Sequence, residues 1–359
     1  MVGKNVLVMT DTKLYNGRES IFPLIRELCQ CPQIKNVYLT DRGDSTNGSF
    51  FYALDPDCSA ITVRKCDENF TLDQVRRYKR KPMAIKDFDA VIIKMNHPVT
   101  HEFLRYVARK FRGKFVFNKP KGLVHTSTKL FLKSLEDVLG DLMPPVTICR
   151  SGNGAEKFMA QHPGGIVLKS WWSHHGNGVV RWRTEGETDF TSKEDVQTFL
   201  DQGGPCLMMP FLNPPGGKQS DNRILVLNGK ILGAFQRVPG PDSWQCNTAK
   251  GGSYSLTEIS DREQTLIKKL DPIMRWHGIG LYGVDCLLND QGERVLSEIN
   301  TINAGGVNKV EDLTGKPYCK LTAYTIAKMM ADNSYAVDVP TFDLMETELA
   351  ALQGEQKAS

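Results

Sequence analysis

Short apolar runs alternate with segments of helical spacing over the first third of the chain. Apolar runs bounded by polar residues are typical of buried strands, whereas apolar residues three and four apart predict one face of a helix. The predicted strands are 4–11, 35–41, 88–96 and 114–120, and the predicted helices are 20–31 and 101–111. Because strands and helices alternate, we expect an α/β fold with a parallel sheet over about residues 1–120.

The pattern changes in the middle of the chain. Residues 128–140 have the spacing of an amphipathic helix, which Pro144 and Pro145 would end. Two apolar runs, 164–170 and 178–184, then predict strands on either side of the segment "WWSHHGN". Such a segment could be a metal site, a base-stacking surface or a loop over a charged ligand.

Hairpins and a final helix follow. Asn228-Gly229 lies between two apolar runs, which is the strongest short signal of a β-hairpin. A second hairpin is predicted over 280–300 and a helix over 320–331. A helical stripe continues in the tail, and we interpret it as packing surface. The stripe consists of Phe342, Met345, Leu349 and Leu352.

Composition excludes several classes of protein. The 359 residues suit two or three packed units, and a net charge of +4 is too weak for a nucleic-acid-binding protein. The first apolar run ends at Asp11, too soon for a secretory signal or a membrane span, so we expect a cytoplasmic protein without membrane contact. Among nine cysteines only Cys29 and Cys31 lie close in sequence, which favours reduced thiols over zinc ligands.

The second hairpin carries acidic residues in an apolar context. With its turn near Gln291 and Gly292, Asp285 lies opposite Glu298, and Asn300 points to the same face. Solvated acids on an exposed face are the usual interpretation of such a pattern. Here the neighbours are Val, Leu, Ile and Cys, and two desolvated carboxylates need a cation between them. The arrangement therefore favours Mg²⁺, with Mn²⁺ as an alternative.

Four cationic side chains accompany this predicted site. Lys129 begins the predicted helix at 128–140, Lys169 ends an apolar strand, and Arg223 and Arg237 bracket the Asn-Gly hairpin. Each alone is more often a solvated surface charge. Together with a metal ion they would form a clamp for a polyphosphate, in which arginine offers two parallel donors to phosphate or carboxylate oxygens.

An ordered set of motifs resembles the ATP-grasp ligases, and most closely the prokaryotic glutathione synthetase type. The motifs are "FNKPKGL", "TSTKLF", "GGIVLKS", "SDNRILVLNGKILGAFQRVP", "CNTAKGG", "GLYGVDCLL" and "LSEIN". No single motif is specific, but their order is, and the resemblance extends from about Val6 to Met330. It implies an N-terminal substrate domain at 1–124, a small lobe at 125–205, a large lobe at 206–335 and a tail at 336–359.

The resemblance also implies roles for individual residues. Lys129 and Lys169 would contact ATP phosphates, Asp285, Glu298 and Asn300 would hold Mg²⁺, and Gly176 and Gly178 would reach phosphates through their backbone amides. A strand at 209–212 would lie against adenine through Met209, Phe211 and Leu212. Arg223, Arg237 and Asn247 would line the phosphate and acyl-acceptor region as catalytic residues. Substrate-binding positions would be Ser20, Lys94, Gly305 and Gly306.

The implied reaction joins a carboxylate to an amine through an acyl phosphate, at the expense of ATP. The expected partners are small peptide and amino-acid substrates, and the resemblance implies a homo-oligomer. Glutathione synthesis is the first expectation. The alternatives are a ligase for a specialised metabolite or precursor peptide, and an ATP-binding module without turnover.

Two segments depart from the family pattern. Where relatives have a glycine-rich phosphate-covering loop, this chain has Trp171, Trp172, His174 and His175. Adjacent histidines diverge in an extended loop and no third ligand is evident, so zinc is not expected. Packing and substrate contact both stay open for these residues. A second departure, "NTINAGG" before residue 307, replaces a Ser-Pro-Thr tract and leaves the substrate uncertain.

Overall fold

The computed structural model describes residues 3–13, 15–171, 178–241, 243–246 and 252–358, and it contains three sheets. The first sheet has six strands in the order β4-β3-β2-β1-β5-β6. These strands are β1 Lys4–Thr10, β2 Ile34–Asp41, β3 Ala60–Lys65, β4 Arg80–Ala84, β5 Ala90–Ile93 and β6 Phe115–Phe117. Helices α1 Ile21–Gln30, α2 Gly48–Phe51, α3 Leu72–Arg77 and α4 His101–Lys110 connect them.

The first sheet is parallel only in part. β1 pairs with β2 and β5 in parallel, and β5 pairs with β6 in parallel, as predicted. β3 is antiparallel to β2, and β4 is antiparallel to β3, so the predicted parallel pairing holds for β2, β1, β5 and β6 and fails for these two strands. The connection from β3 to β4 contains only one short helix, α3, and the two strands it joins are antiparallel neighbours.

The second sheet has four antiparallel strands in the order β7-β10-β8-β9. They are β7 Thr147–Cys149, β8 Ile166–Ser170, β9 Val179–Trp182 and β10 Cys206–Pro210. Helices α7 Gly152–Ala160 and α8 Lys193–Gly203 pack on one face of this sheet with Ile166 and Leu168. β10 lies in this sheet, although the division expected from the resemblance places it in the large lobe.

The third sheet has five strands in the order β13-β12-β11-β14-β15 and contains both predicted hairpins. Its strands are β11 Asp221–Leu227, β12 Lys230–Val238, β13 Ser253–Leu256, β14 Leu281–Leu288 and β15 Arg294–Asn300. Asn228 and Gly229 turn between β11 and β12 with φ of 45° and 89°. Positive φ at both positions is what a type I′ turn requires, which explains the Asn-Gly sequence.

The remaining helices surround these sheets. They are α5 Pro120–Thr126, α6 Glu136–Leu139, α9 Asp261–Trp276, α10 Val307–Thr314, α11 Tyr318–Asp332 and α12 Phe342–Ala358. The predicted amphipathic helix at 128–140 is mostly a 3-10 segment, Lys129–Leu135, followed by the short α6. Met345 and Leu349 of α12 are buried in the core, which confirms the packing interpretation of the tail. Among the described residues, no helix is both long and apolar enough to cross a membrane.

Side-chain alternation sets which residues of the second sheet face the third. Ile166 and Leu168 face the helices, whereas Val167, Leu207 and Met209 belong to the core shared with the third sheet. Lys169 follows Val167 by two residues and therefore points the same way. The second and third sheets thus form a cleft. Lys169 projects into it from the second sheet, and the acidic strands β14 and β15 of the third sheet lie on the opposite side.

Candidate functional site

The predicted carboxylate pair forms through a bulge in the second hairpin. Leu288, Leu287 and Cys286 pair with Arg294, Val295 and Leu296 in simple register. The register then shifts between Cys286 and Asp285, so that Asp285 pairs with Glu298 and Ser297 is the extra residue. The predicted pairing of Asp285 with Glu298 is confirmed. Asn300 donates through Nδ2 to Asp285 Oδ2 at 3.3 Å, which confirms that it lies on the same face.

Two arginines hold the Asp285 carboxylate. Arg223, directly opposite on β11, contacts Asp285 through Nε and donates from Nη2 to Oδ2 at 2.7 Å. Arg237 Nη2 lies 3.0 Å from the same Oδ2. Gly283 makes room for this geometry, because a Cβ there would lie 3.1 Å from Arg223 Cδ. The structure therefore brings Arg223, Arg237 and Asp285 together.

Asp221 is a third acid at this site, beside Asp285 and Glu298, and it was not predicted from the sequence. It pairs with Arg237 across β11 and β12, and Arg237 donates from Nε to Oδ1 at 2.6 Å and from Nη2 to Oδ2 at 2.5 Å. The period-two alternation from Arg223 places Asp221 on the same face, which is the signal that could have revealed it. We call Asp221, Arg223, Arg237 and Asp285 the ion-pair network.

The two acids of the ion-pair network have opposite pKa shifts. Burial alone would raise the pKa of Asp285, but the Arg223 and Arg237 guanidiniums outweigh it and hold that pKa well below the usual range. Burial, followed by the nearby Asp285 carboxylate, raises the pKa of Asp221 to about 6. Asp221 and Asp285 share Arg237, and their pKa values shift in opposite directions. Asp285 is therefore the more firmly ionised of the two acids.

Both predicted phosphate lysines are buried beside these strands. Lys169 Nζ donates to the Ser297 carbonyl oxygen at 3.0 Å and contacts Ser297 Oγ at 2.9 Å, so the bulge residue holds it. Lys129 Nζ lies 3.7 Å from Glu298 Oε1. Burial lowers the pKa of Lys169 to about 8, with Glu298 acting in the opposite direction and Lys129 in the same direction. The side chains of Lys129, Lys169 and Glu298 therefore lie close together.

In the predicted adenine-binding segment, Phe211 contacts one aromatic and one cationic side chain. Met209 is buried on β10, and Leu212 accepts through its carbonyl from Gln219 Nε2 at 3.4 Å. The Arg183 guanidinium lies 4.4 Å from the Phe211 ring centroid, and the Trp244 centroid lies 6.0 Å from it. Trp244 was not predicted, because no local pattern relates it to Phe211.

Of the predicted substrate-binding residues, Lys94, Gly305 and Gly306 lie together, whereas Ser20 lies at the start of α1. Lys94, at the end of β5, donates to the Ala304 carbonyl at 2.9 Å and so lies beside Gly305 and Gly306. Gly306 has φ of 112°, and a Cβ there would approach Phe235 to 2.7 Å, so only glycine fits. Burial lowers the pKa of Lys94 to about 8. Ser20 lies at the start of α1, and its side chain makes no capping hydrogen bond.

Part of the predicted phosphate-covering loop falls outside the described residues. These positions are Trp172, His174, His175 and Gly176, and Asn247 also lies outside. Gly178 accepts through its carbonyl from the Ser170 amide at 2.8 Å, which closes the base of the loop. Trp171 donates from Nε1 to the Gly203 carbonyl at 3.2 Å, so this ring packs against the end of α8.

The metal prediction stays a prediction. Within the part of the chain that the structure describes, no three His, Cys, Asp or Glu side chains form a group that could hold a metal ion. Asp285, Glu298 and Asn300 offer two carboxylates and one amide on one face. Mg²⁺ takes one or two carboxylates and completes its octahedron with phosphate oxygens and water. The donor set therefore fits Mg²⁺ bound together with a phosphate ligand.

Comparison with solved structures places this cleft in a known fold. The crystal structure of D-alanyl-alanine synthetase A from Vibrio cholerae is similar with a TM-score of 0.58 and 13% identity, covering 93% of this chain and 99% of that one. Macrocyclase MdnC bound with precursor peptide MdnA, from Microcystis aeruginosa, is similar with a TM-score of 0.56 and 15% identity. That likeness covers 91% of this chain and 99% of MdnC.

Sequence relatives agree with the fold. Glutathione synthetase from Rhodopseudomonas palustris is 28% identical over 253 residues, which is 69% of this chain and 74% of the relative. A probable alpha-L-glutamate ligase 2 from Hahella chejuensis is 28% identical over 261 residues, 71% of this chain and 82% of that protein. The family model described as "Prokaryotic glutathione synthetase, ATP-grasp domain" matches residues 128–315, which include the second and third sheets. The chain therefore belongs to the prokaryotic glutathione synthetase family of ATP-grasp carboxylate–amine ligases.

Proposed function

We propose that the protein is a glutathione synthetase, which joins γ-glutamylcysteine to glycine at the expense of ATP. The observation that carries the proposal is the convergence of Lys129 and Lys169 on Glu298 beside the ion-pair network. Four cations and three acids at one place leave an excess of positive charge, which suits an anionic nucleotide and an anionic substrate. The name of the relative from Rhodopseudomonas palustris supports the choice of substrates.

The first chemical step is phosphoryl transfer. A substrate carboxylate oxygen attacks the γ-phosphorus of ATP, the bond to the bridging oxygen breaks, and ADP leaves as an acyl phosphate forms. Lys129 and Lys169 stabilise the charge on the phosphate oxygens, because they are held in place before the reaction and lie away from bulk water. Asp285, Glu298 and Asn300 would hold Mg²⁺, which supplies further neutralisation of phosphate charge when bound.

The second step forms the peptide bond. The amine nitrogen attacks the acyl carbon, the tetrahedral intermediate expels inorganic phosphate, and the nitrogen loses a proton. Arg223 and Arg237 would donate to the oxyanion of this intermediate, and their contacts with carboxylates support the proposal because they fix the orientation of both side chains. Removing one such contact typically reduces turnover by on the order of 100-fold to 1000-fold.

A second candidate is a ligase for a longer peptide substrate. Residues 301–306 depart from the family tract, and Ala304 in that segment receives the Lys94 hydrogen bond. A changed tract next to the substrate site is expected to change the acceptor and leave ATP use intact. The similarity to MdnC, which was crystallised with a precursor peptide, favours this candidate over a module without turnover.

Release of ADP and phosphate tests the two candidates. The protein is incubated with ATP and Mg²⁺, and γ-glutamylcysteine and glycine are added singly and together. Release only with both substrates supports glutathione synthesis, and mass spectrometry of the product confirms the new peptide bond. Release with another peptide or amine acceptor would replace the substrates and keep the ligase. ATP binding without release under any mixture of acceptors would contradict turnover.

A further inference from the structure

A pocket lies where α5 joins the 3-10 segment, and the Lys129–Glu298 pair forms part of its lining. It is small and partly open, and its volume of about 270 Å³ includes the solvent at its mouth. Its lining comprises Thr126, Ser127, Thr128, Lys129, Phe131, Leu132, Glu298 and Ile299. Three consecutive hydroxyl residues therefore precede the lysine, and a carboxylate faces it.

Ser127 is the exceptional member of this lining. It is 6% exposed, and its hydroxyl has no hydrogen-bond partner among the described residues. The adjacent Thr126 hydroxyl does have one, because it donates to Thr301 Oγ1 at 3.3 Å. A buried hydroxyl without a partner destabilises a folded protein, and native structures contain few of them. Because the buried Ser127 hydroxyl lowers the stability of the ligand-free protein, we expect a ligand to supply its hydrogen-bond partner.

The charges around the pocket indicate the chemistry of that ligand. Lys129 Nζ and Glu298 Oε1 are 3.7 Å apart, and Lys169 lies close enough for Glu298 and Lys129 both to act on its pKa. Two buried lysines against one carboxylate favour an anion. A hydroxyl donor adjacent to an ammonium group is a common arrangement for binding phosphate oxygens, since both donate and the charge-assisted hydrogen bonds are strong.

We infer that the Ser127 hydroxyl donates a hydrogen bond to a phosphate oxygen of the bound nucleotide, beside Lys129. The inference rests on the proposed function, because it requires a nucleotide phosphate in this cleft. Ser127 is then a nucleotide-binding residue that stabilises the complex and destabilises the free protein. These opposite effects separate a ligand contact from a structural hydroxyl, which would stabilise both states.

The test compares Ser127→Ala with the unmodified protein by isothermal titration with ADP and MgCl₂. Loss of a hydrogen bond to a charged group is expected to weaken ADP binding by about tenfold or more. The melting temperature of the ligand-free variant should equal or exceed that of the unmodified protein, since no hydrogen bond is lost there. Ser127→Thr keeps the hydroxyl, so it should retain more of the affinity than Ser127→Ala does.

Ser134→Ala is the matched control. Ser134 belongs to the same 3-10 segment and is exposed, and its hydroxyl donates to the Phe131 carbonyl at 2.7 Å. This variant should leave ADP affinity unchanged. Lys129→Met reports separately on the proposed function, because it should abolish most of the ADP affinity if the nucleotide site is here.

The outcomes are distinguishable. If the unmodified protein does not bind ADP, the proposed function fails and the inference fails with it. If Lys129→Met loses affinity while Ser127→Ala binds ADP normally, the inference alone is overturned and the Ser127 hydroxyl contacts only water. If Ser127→Ala loses affinity and also melts at a lower temperature without ligand, the hydroxyl has a structural role and the inference is overturned.

Discussion

Two polar regions share one cleft and differ in how completely their groups are paired. In the ion-pair network, Arg223 binds Asp285, while Arg237 binds both Asp221 and Asp285. In the pocket beside α5, the Ser127 hydroxyl has no partner in the described chain, and the Lys129–Glu298 separation is 3.7 Å. The first region is therefore organised without a ligand, whereas the second contains a buried hydroxyl that no described residue satisfies.

The difference indicates that the two regions have different functions. Paired arginines keep their orientation whether or not a substrate is present, so their donors are positioned in advance for a developing oxyanion. The Ser127 hydroxyl, which no described residue satisfies, instead loses no protein hydrogen bond when it contacts a ligand. Binding energy is thus expected to come from the pocket, and orientation of the reacting groups from the ion-pair network.

The largest expected effect comes from Asp285→Asn. It removes a buried carboxylate and leaves Arg223 without its charged partner, so the free energy of unfolding should fall by about 3 kcal/mol. Turnover should fall by on the order of 100-fold to 1000-fold. Urea denaturation and steady-state assays measure the two effects.

Glu298→Gln is the matched variant on the pocket side. Its side chain is 25% exposed, and its ion pair with Lys129 is long at 3.7 Å. The free energy of unfolding should change by less than about 0.5 kcal/mol, while turnover should be lost as in Asp285→Asn. Near-normal turnover in Glu298→Gln would refute the metal assignment. Equal destabilisation of both variants would remove the contrast between the two regions.

A second prediction concerns the pH dependence of nucleotide affinity. Burial lowers the pKa of Lys169 to about 8, so the charged form needed for phosphate is lost as pH rises through that value. ADP affinity should therefore fall above about pH 8, with a limiting slope of about tenfold per pH unit. Stability changes in the opposite direction, because a lysine with a lowered pKa destabilises the fold when charged. The free energy of unfolding should rise between about pH 8 and the ordinary lysine pKa of about 10.4.

Lys169→Arg supplies the control for this profile. Arginine stays protonated throughout the range, so ADP affinity in the variant should be independent of pH between about 7.5 and about 9.5. Titration calorimetry at several pH values measures both proteins. An unmodified protein whose affinity is equally flat would show that Lys169 does not provide the phosphate contact.

The smallest expected effect lies at the opposite end of the cleft. Trp244 packs on Phe211, and the Arg181 guanidinium lies 5.1 Å from the Trp244 ring centroid. Trp244→Ala should remove the contacts with Phe211 and Arg181 and weaken ADP binding by about threefold to tenfold. Turnover at saturating ATP should be unchanged. Trp276→Ala is the control, because that ring is 82% exposed and should have no effect. A pure loss of turnover in Trp244→Ala would contradict a role in binding the base.

The sequence predicted the elements that depend on local patterns. The Asn228-Gly229 hairpin is confirmed, because backbone conformation at a turn is dictated by the residues within it. The pairing of Asp285 with Glu298 is also confirmed, although a uniform register was assumed and the structure reaches it through a bulge. The 3-10 geometry of Lys129–Leu135 was missed, since apolar spacing alone does not distinguish it from an α-helix.

What the sequence could not predict depends on contacts between distant residues. Asp221 belongs to the ion-pair network because β11 is the central strand between β12 and β14. No sequence pattern distinguishes Ser127, because only the fold shows that its hydroxyl has no partner among the residues described. The antiparallel placement of β3 and β4 follows from strand order, which periodicity does not encode.

Ser297 has a consequence for how this hairpin can vary among related proteins. As the extra residue of the bulge, it shifts the phase of Glu298 and Asn300, and it also holds Lys169 through its carbonyl and hydroxyl. Insertions at the hairpin tip, beyond Leu288 and Arg294, leave this phase untouched. Deletion of Ser297 would close the bulge and leave Glu298 opposite Asp285, but it would remove both contacts that hold Lys169. Length variation is therefore expected to be tolerated at the tip, whereas loss of Ser297 would release the lysine.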